Sequence, residues 1–105
     1  LLALDPRPTA IFAANDVMAA GVLKAAAARA IAVPQALSVV GFDGSILAEM
    51  LTPSLTTVHR PMGDMAQLAT AWLINMAERR EPPASPVFHQ HLTLVPGASS
   101  ARAPR

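Results

Sequence analysis

Cysteine is absent from the 105 residues, which excludes a disulfide framework, a thiolate zinc site and a thiol nucleophile. Charge is scarce and balanced: Asp, Glu, Lys and Arg make up 14% of the chain, with a formal net charge of +1. Binding nucleic acid needs Lys and Arg clustered on one face. Arg79, Arg80, Arg102 and Arg105 read instead as a helix end and a loose tail. No apolar run approaches the ~20 residues that span a bilayer, so no membrane partner is expected. No Gly-rich phosphate loop occurs, and no cofactor is implied. The first residue is not Met and no signal peptide is visible; the opening residues read as the middle of something, so the true N-terminus is expected upstream.

What the chain has is hydrophobicity in blocks, with 52% apolar residues, enough for a buried core. Thr9–Ala14 is a short apolar run between Pro8 and Asn15, the pattern of a strand buried on both faces. Val17–Arg29, rich in Ala and Leu, follows the cap-forming Asn15 and Asp16 and predicts a helix. Leu37–Phe42 predicts a second strand, Ile46–Leu51 one or two helical turns, and Leu55–His59 a third strand. Pro61 suits the first turn of a long helix over Met62–Arg80. Its apolar residues Met65, Leu68, Ala69, Trp72, Leu73 and Met76 share one face. Pro82, Pro83 and Pro86 end that helix, Val87–Val95 reads as a last strand, and 97–105 as a disordered tail. The alternation of strand and helix predicts an α/β fold, a three-layer Rossmann-like parallel sheet.

Ligands of parallel sheets sit outside the carboxyl ends of the strands. The polar residues ending the three predicted strands are Asn15, Asp43 and Arg60. An amide, a carboxylate and a guanidinium offer donors and acceptors but no reactive group. That set suits a polyhydroxylated or partly anionic small molecule and does not suit bond breaking, so no catalytic residue is expected. Each residue has a plainer alternative. Asn15 and Asp16 can cap the helix, or Asp16 can cap it while Asn15 reaches the ligand. Asp43 can be an ordinary turn aspartate, and Arg60 a solvated surface charge. His89 and His91 are spaced to lie on one face of a strand and His59 ends another, but no carboxylate completes a zinc site, and no metal is expected. Ser38, His59 and Asp64 make a triad only on paper, without a nucleophile elbow. Trp72 falls at helical spacing with other apolar residues and reads as core or interface.

Three segments, PTAIFAANDVMAAGVLKA (8–25), VPQALSVVGFDG (33–44) and LTPSLTTVHRP (51–61), occur in an order that resembles the last part of the effector domain of LacI/GalR regulators. That family shares the type I periplasmic-binding-protein fold, and the resemblance covers residues 8–80. It implies a sugar or related effector held between two lobes, with Asn15 and Asp43 at effector-bonding positions and Arg60 at a polar position of the lobe crossover. It implies that residues 1–96 are a partial effector-binding domain, mainly the C-terminal lobe, with the crossover helix 62–80 packing on the other lobe. It places Ala20, Lys24, Ile46, Leu47, Met50 and Leu51 on a homodimer surface. A cytoplasmic transcription regulator follows, binding operator DNA only through an N-terminal domain missing from these residues. A domain-swapped dimer is expected of a fragment that lacks the first lobe. The alternative within the same fold is a periplasmic sugar-binding protein of a transport system, towards which Phe42-Asp43-Gly44 leans. Arg60 departs from the Gln common at its position. Ala30 stands at a helix-terminating position that is usually Gly, where a left-handed conformation costs about 1 kcal/mol.

Overall fold

The computed structural model describes residues 1–78, 87 and 89–103. They fall into two units, Leu1–His59 with Thr93–Arg105, and Arg60–Leu92. The first unit holds β1 (Ala10–Phe12), α1 (Asp16–Ala27), β2 (Ser38–Asp43), α2 (Ile46–Met50), β3 (Thr56–His59) and, after the second unit, β4 (Thr93–Val95). The second holds α3 (Met62–Ala77).

The four strands form one sheet in the order β1-β2-β3-β4. β1, β2 and β3 run parallel, with Phe12 beside Val40 and Asp43 beside His59. β4 runs antiparallel to β3, so the sheet is mixed at that edge. Among the described residues of the expected strand Val87–Val95, Thr93, Leu94 and Val95 pair with β3. β1 is also shorter than Thr9–Ala14, although Ala13 N still donates to Val40 O at 2.8 Å.

Small side chains let α1 lie close on the sheet. Its buried residues Asp16, Ala19, Leu23 and Ala26 face a core that includes Leu37, Val39, Ala48 and Leu55. Gly41 is required there: a Cβ on it would lie 2.5 Å from Asp16 Oδ1 and 2.8 Å from Leu55 Cδ2. α1 closes in a left-handed turn, with Ile31 N donating to Ala26 O, Ala30 N to Ala27 O, and Ala30 at φ 54. The expected strain at Ala30 is therefore present. Alternation puts Phe12, Val40, Phe42, Val58 and Leu94 on the opposite sheet face. That face is uncovered by the helices of this unit, and Phe12 is 65% exposed. The second helical layer of a three-layer fold is not supplied by these elements.

Residues 97–103 correct the expectation of a disordered tail. Ser99 is fully buried; its hydroxyl donates to Val39 O at 2.6 Å and accepts from Thr56 N at 2.8 Å. Val39 N in turn donates to Ser99 O. The segment fills hydrogen bonds that β2 and β3 leave unmade at their amino ends, and its small residues permit the close approach. Small polar composition reads the same in a tail and in a backbone-hugging strap.

In the second unit, none of the residues of α3 is buried. Met65, Leu68, Ala69, Trp72 and Gln90 line a cavity of about 180 Å³, and Trp72 is half-buried. The helix ends by Ala77; the expected end at Arg80 and the proline break at 82–86 lie outside the described residues.

Candidate functional site

β1 and β2 deliver their polar termini to the same edge of the sheet. Asn15 follows β1 and is the N-cap of α1, its Oδ1 accepting from Met18 N at 2.8 Å. Asp43 ends β2 and is half-buried, with a φ of 109. A non-glycine residue held in that region stores strain on the order of 1–3 kcal/mol, which persists only where neighbours over-determine it. Gly44 continues the turn at φ 66. Arg60 follows β3 in the chain, is half-buried, and belongs to the second unit.

The two alternatives for Asn15 and Asp16 resolve opposite to the version in which Asp16 caps. Asn15 supplies the cap. Asp16 is buried at 1% exposure and fastens the turn that carries Asp43. Asp16 Oδ2 accepts from Ser45 N and Ser45 Oγ, each at 2.7 Å, and Oδ1 accepts from Thr57 Oγ1 at 2.5 Å. Thr57 Oγ1 accepts in turn from Gly44 N at 3.3 Å. Asp16 sits in the first turn of α1, where the helix dipole favours a carboxylate. Sequence reasoning missed this role, although Asp16 shares the spacing of the buried Ala19, Leu23 and Ala26. Ser45 and Thr57 carried no local signal, since their roles depend on contacts across the sheet.

His59 stands beside the same turn. It is exposed, lies in register with Asp43, and its Nδ1 is 3.4 Å from Gly44 O. A groove of about 480 Å³ opens along α2, its lining including Gly44, Ser45, Glu49, Thr57 and His59. His89 and His91 are exposed and precede β4, so they do not share the face of a strand. Among the described residues, no three His, Asp or Glu side chains converge as a metal site requires. None of the described helices is long and apolar enough to cross a membrane.

The residues expected on a contact surface divide. Ile46 and Met50 are 71% and 74% exposed. Lys24 is exposed, and Ala20 and Leu47 are half-buried. Leu51 departs from the expected exposed patch: it is half-buried and packs on the unit's own core, because the chain turns inward after α2. Val17 and Met18 on α1 are exposed apolar residues that sequence reasoning did not include.

Comparison with known proteins agrees with this architecture. Residues 1–100 match the model of the periplasmic binding protein-like domain. The chain is 38% identical over 104 residues to the HTH-type transcriptional repressor PurR of Pectobacterium carotovorum, covering 99% of this chain and 30% of that protein. It is 45% identical over 80 residues to the ribose operon repressor of Halalkalibacterium halodurans, covering 76% of this chain and 24% of that one. A LacI family transcriptional regulator of Lactobacillus casei with bound sucrose superposes with a TM-score of 0.79 at 32% identity, over 91% of this chain and 34% of that one. The chain thus spans about a third or less of each relative. By its sheet and its matched family model the chain belongs to the periplasmic binding protein-like family, and the relatives it is similar to are transcription repressors and a LacI family regulator.

Proposed function

We propose that this chain forms one wall of an effector site in a cytoplasmic regulator and that Asn15, Asp43 and Arg60 contact the effector. The observation that carries the proposal is the placement of Asn15 and Asp43 at the carboxyl ends of adjacent parallel strands. The cap engages the carbonyl oxygen of Asn15, so its amide N–H groups suit a ligand acceptor. The Asp43 carboxylate accepts from hydroxyl groups, and the guanidinium of Arg60 donates to an oxygen-rich or anionic group. The ligand is a sugar or a related metabolite. Bound sucrose in the Lactobacillus casei regulator supports that class.

The role is sensing, not catalysis. An effector biases the protein only by binding one arrangement of its lobes better than another, and that preference sets the spacing of DNA-binding heads in a homodimer. Operator DNA is contacted through a domain other than this one. Ala20, Lys24, Ile46, Leu47 and Met50 are assigned to the dimer surface, with the apolar contact centred on Ile46 and Met50, while Leu51 packs on the unit's own core. The relatives named above are regulators, which favours this role over that of a transport receptor of the same fold.

The test is a thermal-shift screen of the complete protein against sugars, nucleosides and phosphorylated metabolites, repeated on Asp43→Ala. A stabilising compound raises the midpoint through mass action, and the variant is expected to lose most of that shift. A variant that responds as fully as the parent refutes the role of Asp43.

A further inference from the structure

We propose that His59 is the positioning residue for Asp43: it holds the strained turn that presents the carboxylate to the effector. The proposal rests on the effector site described above.

Asp43 and His59 are register partners at the carboxyl ends of β2 and β3, so their side chains leave the sheet side by side. Asp43 has a φ of 109 and Gly44 a φ of 66, two consecutive residues in backbone regions that side chains disfavour. Such a turn relaxes unless something holds it. Two of its holds are the fixed bonds to buried groups, Gly44 N to Thr57 Oγ1 and Ser45 to Asp16. The third is His59. A Cβ on Gly44 would lie 2.6 Å from His59 Cα and 2.6 Å from Nδ1, so the turn is seated directly on this residue. The ring nitrogen Nδ1 lies 3.4 Å from Gly44 O, where an Nδ1–H tautomer donates to the carbonyl. Gly44 and His59 both border the groove along α2, so this flank of the turn faces open space.

Removing the ring frees the carbonyl of Gly44 and leaves the strained turn held only by its bonds to Thr57 and Asp16, so the backbone at Asp43 relaxes about them. Asp43 then samples orientations that do not meet the ligand, and affinity falls by the fraction of time spent in them. His59 acts through Asp43 and needs no contact with the effector itself.

The experiment is a double-mutant cycle on the complete protein by titration calorimetry, using the tightest binder among glucose, sucrose, cellobiose, ribose and adenosine. His59→Ala is expected to weaken binding roughly tenfold, and to add little once Asp43→Ala is present. His59→Asn keeps a donor where Nδ1 lies and is expected to regain most of the lost affinity, which a residue that merely fills space does not predict. Parent-like affinity of His59→Ala, an equal loss in both backgrounds, or no recovery with His59→Asn overturns the proposal. The underlying effector site fails separately: either none of the five compounds binds, or Asp43→Ala alone leaves affinity unchanged.

Discussion

Thr57 and Asp16 share a hydrogen bond of 2.5 Å that joins β3 to the first turn of α1. With the two bonds from Ser45, it makes Asp16 the point at which the helix, the strand and the 43–45 turn are fastened together. Asp16→Asn removes one acceptor and the charge, leaving at least one buried donor unpaired. The expected loss is roughly 2–4 kcal/mol of stability, read as a lower urea midpoint of the complete protein. An unchanged midpoint would show that water or another group replaces the carboxylate.

Ala30 is a place where the chain is less stable than its fold allows. Its φ of 54 closes α1 in a conformation that glycine adopts without steric penalty. Ala30→Gly is expected to raise stability by about 0.5–1 kcal/mol, less than the full strain because glycine is freer in the unfolded chain. Thermal unfolding of the complete protein measures it, and a decrease would place the strain elsewhere.

The exposed apolar pair on α2 makes the dimer surface testable. Ile46→Glu with Met50→Glu places two carboxylates in the proposed apolar contact, and neither side chain supports the unit's own core. Dimer dissociation is expected to rise by roughly 100-fold or more, giving monomer in light scattering at micromolar protein. A persisting dimer would move the interface to another surface.

Much of the fold was legible because its signals are local. Thr9–Ala14 and Leu37–Phe42 are apolar runs, and both contain strands. The Asn15 cap followed by an Ala-rich run marks α1, and Ala30 marks its end. The ends of the chain were less legible. The strand over Val87–Val95 shrank to β4 because pairing is decided by the partner, not by propensity. Ser99 read as tail, since nothing in its own neighbourhood announces the unpaired Val39 O and Thr56 N that it satisfies. In the site, strand ends picked out Asn15 and Asp43. The network beneath them, Asp16 with Ser45 and Thr57, joins residues up to 41 positions apart and is visible only in three dimensions.

The central claim is that Asn15 and Asp43 face one bound molecule. A crystal structure of the complete protein, soaked with the compound that raises its thermal midpoint most, measures this directly. The expected result is an Asn15 amide nitrogen and an Asp43 carboxylate oxygen each within about 3.2 Å of polar atoms of the same ligand. A ligand that binds elsewhere, or that touches neither side chain, would contradict it.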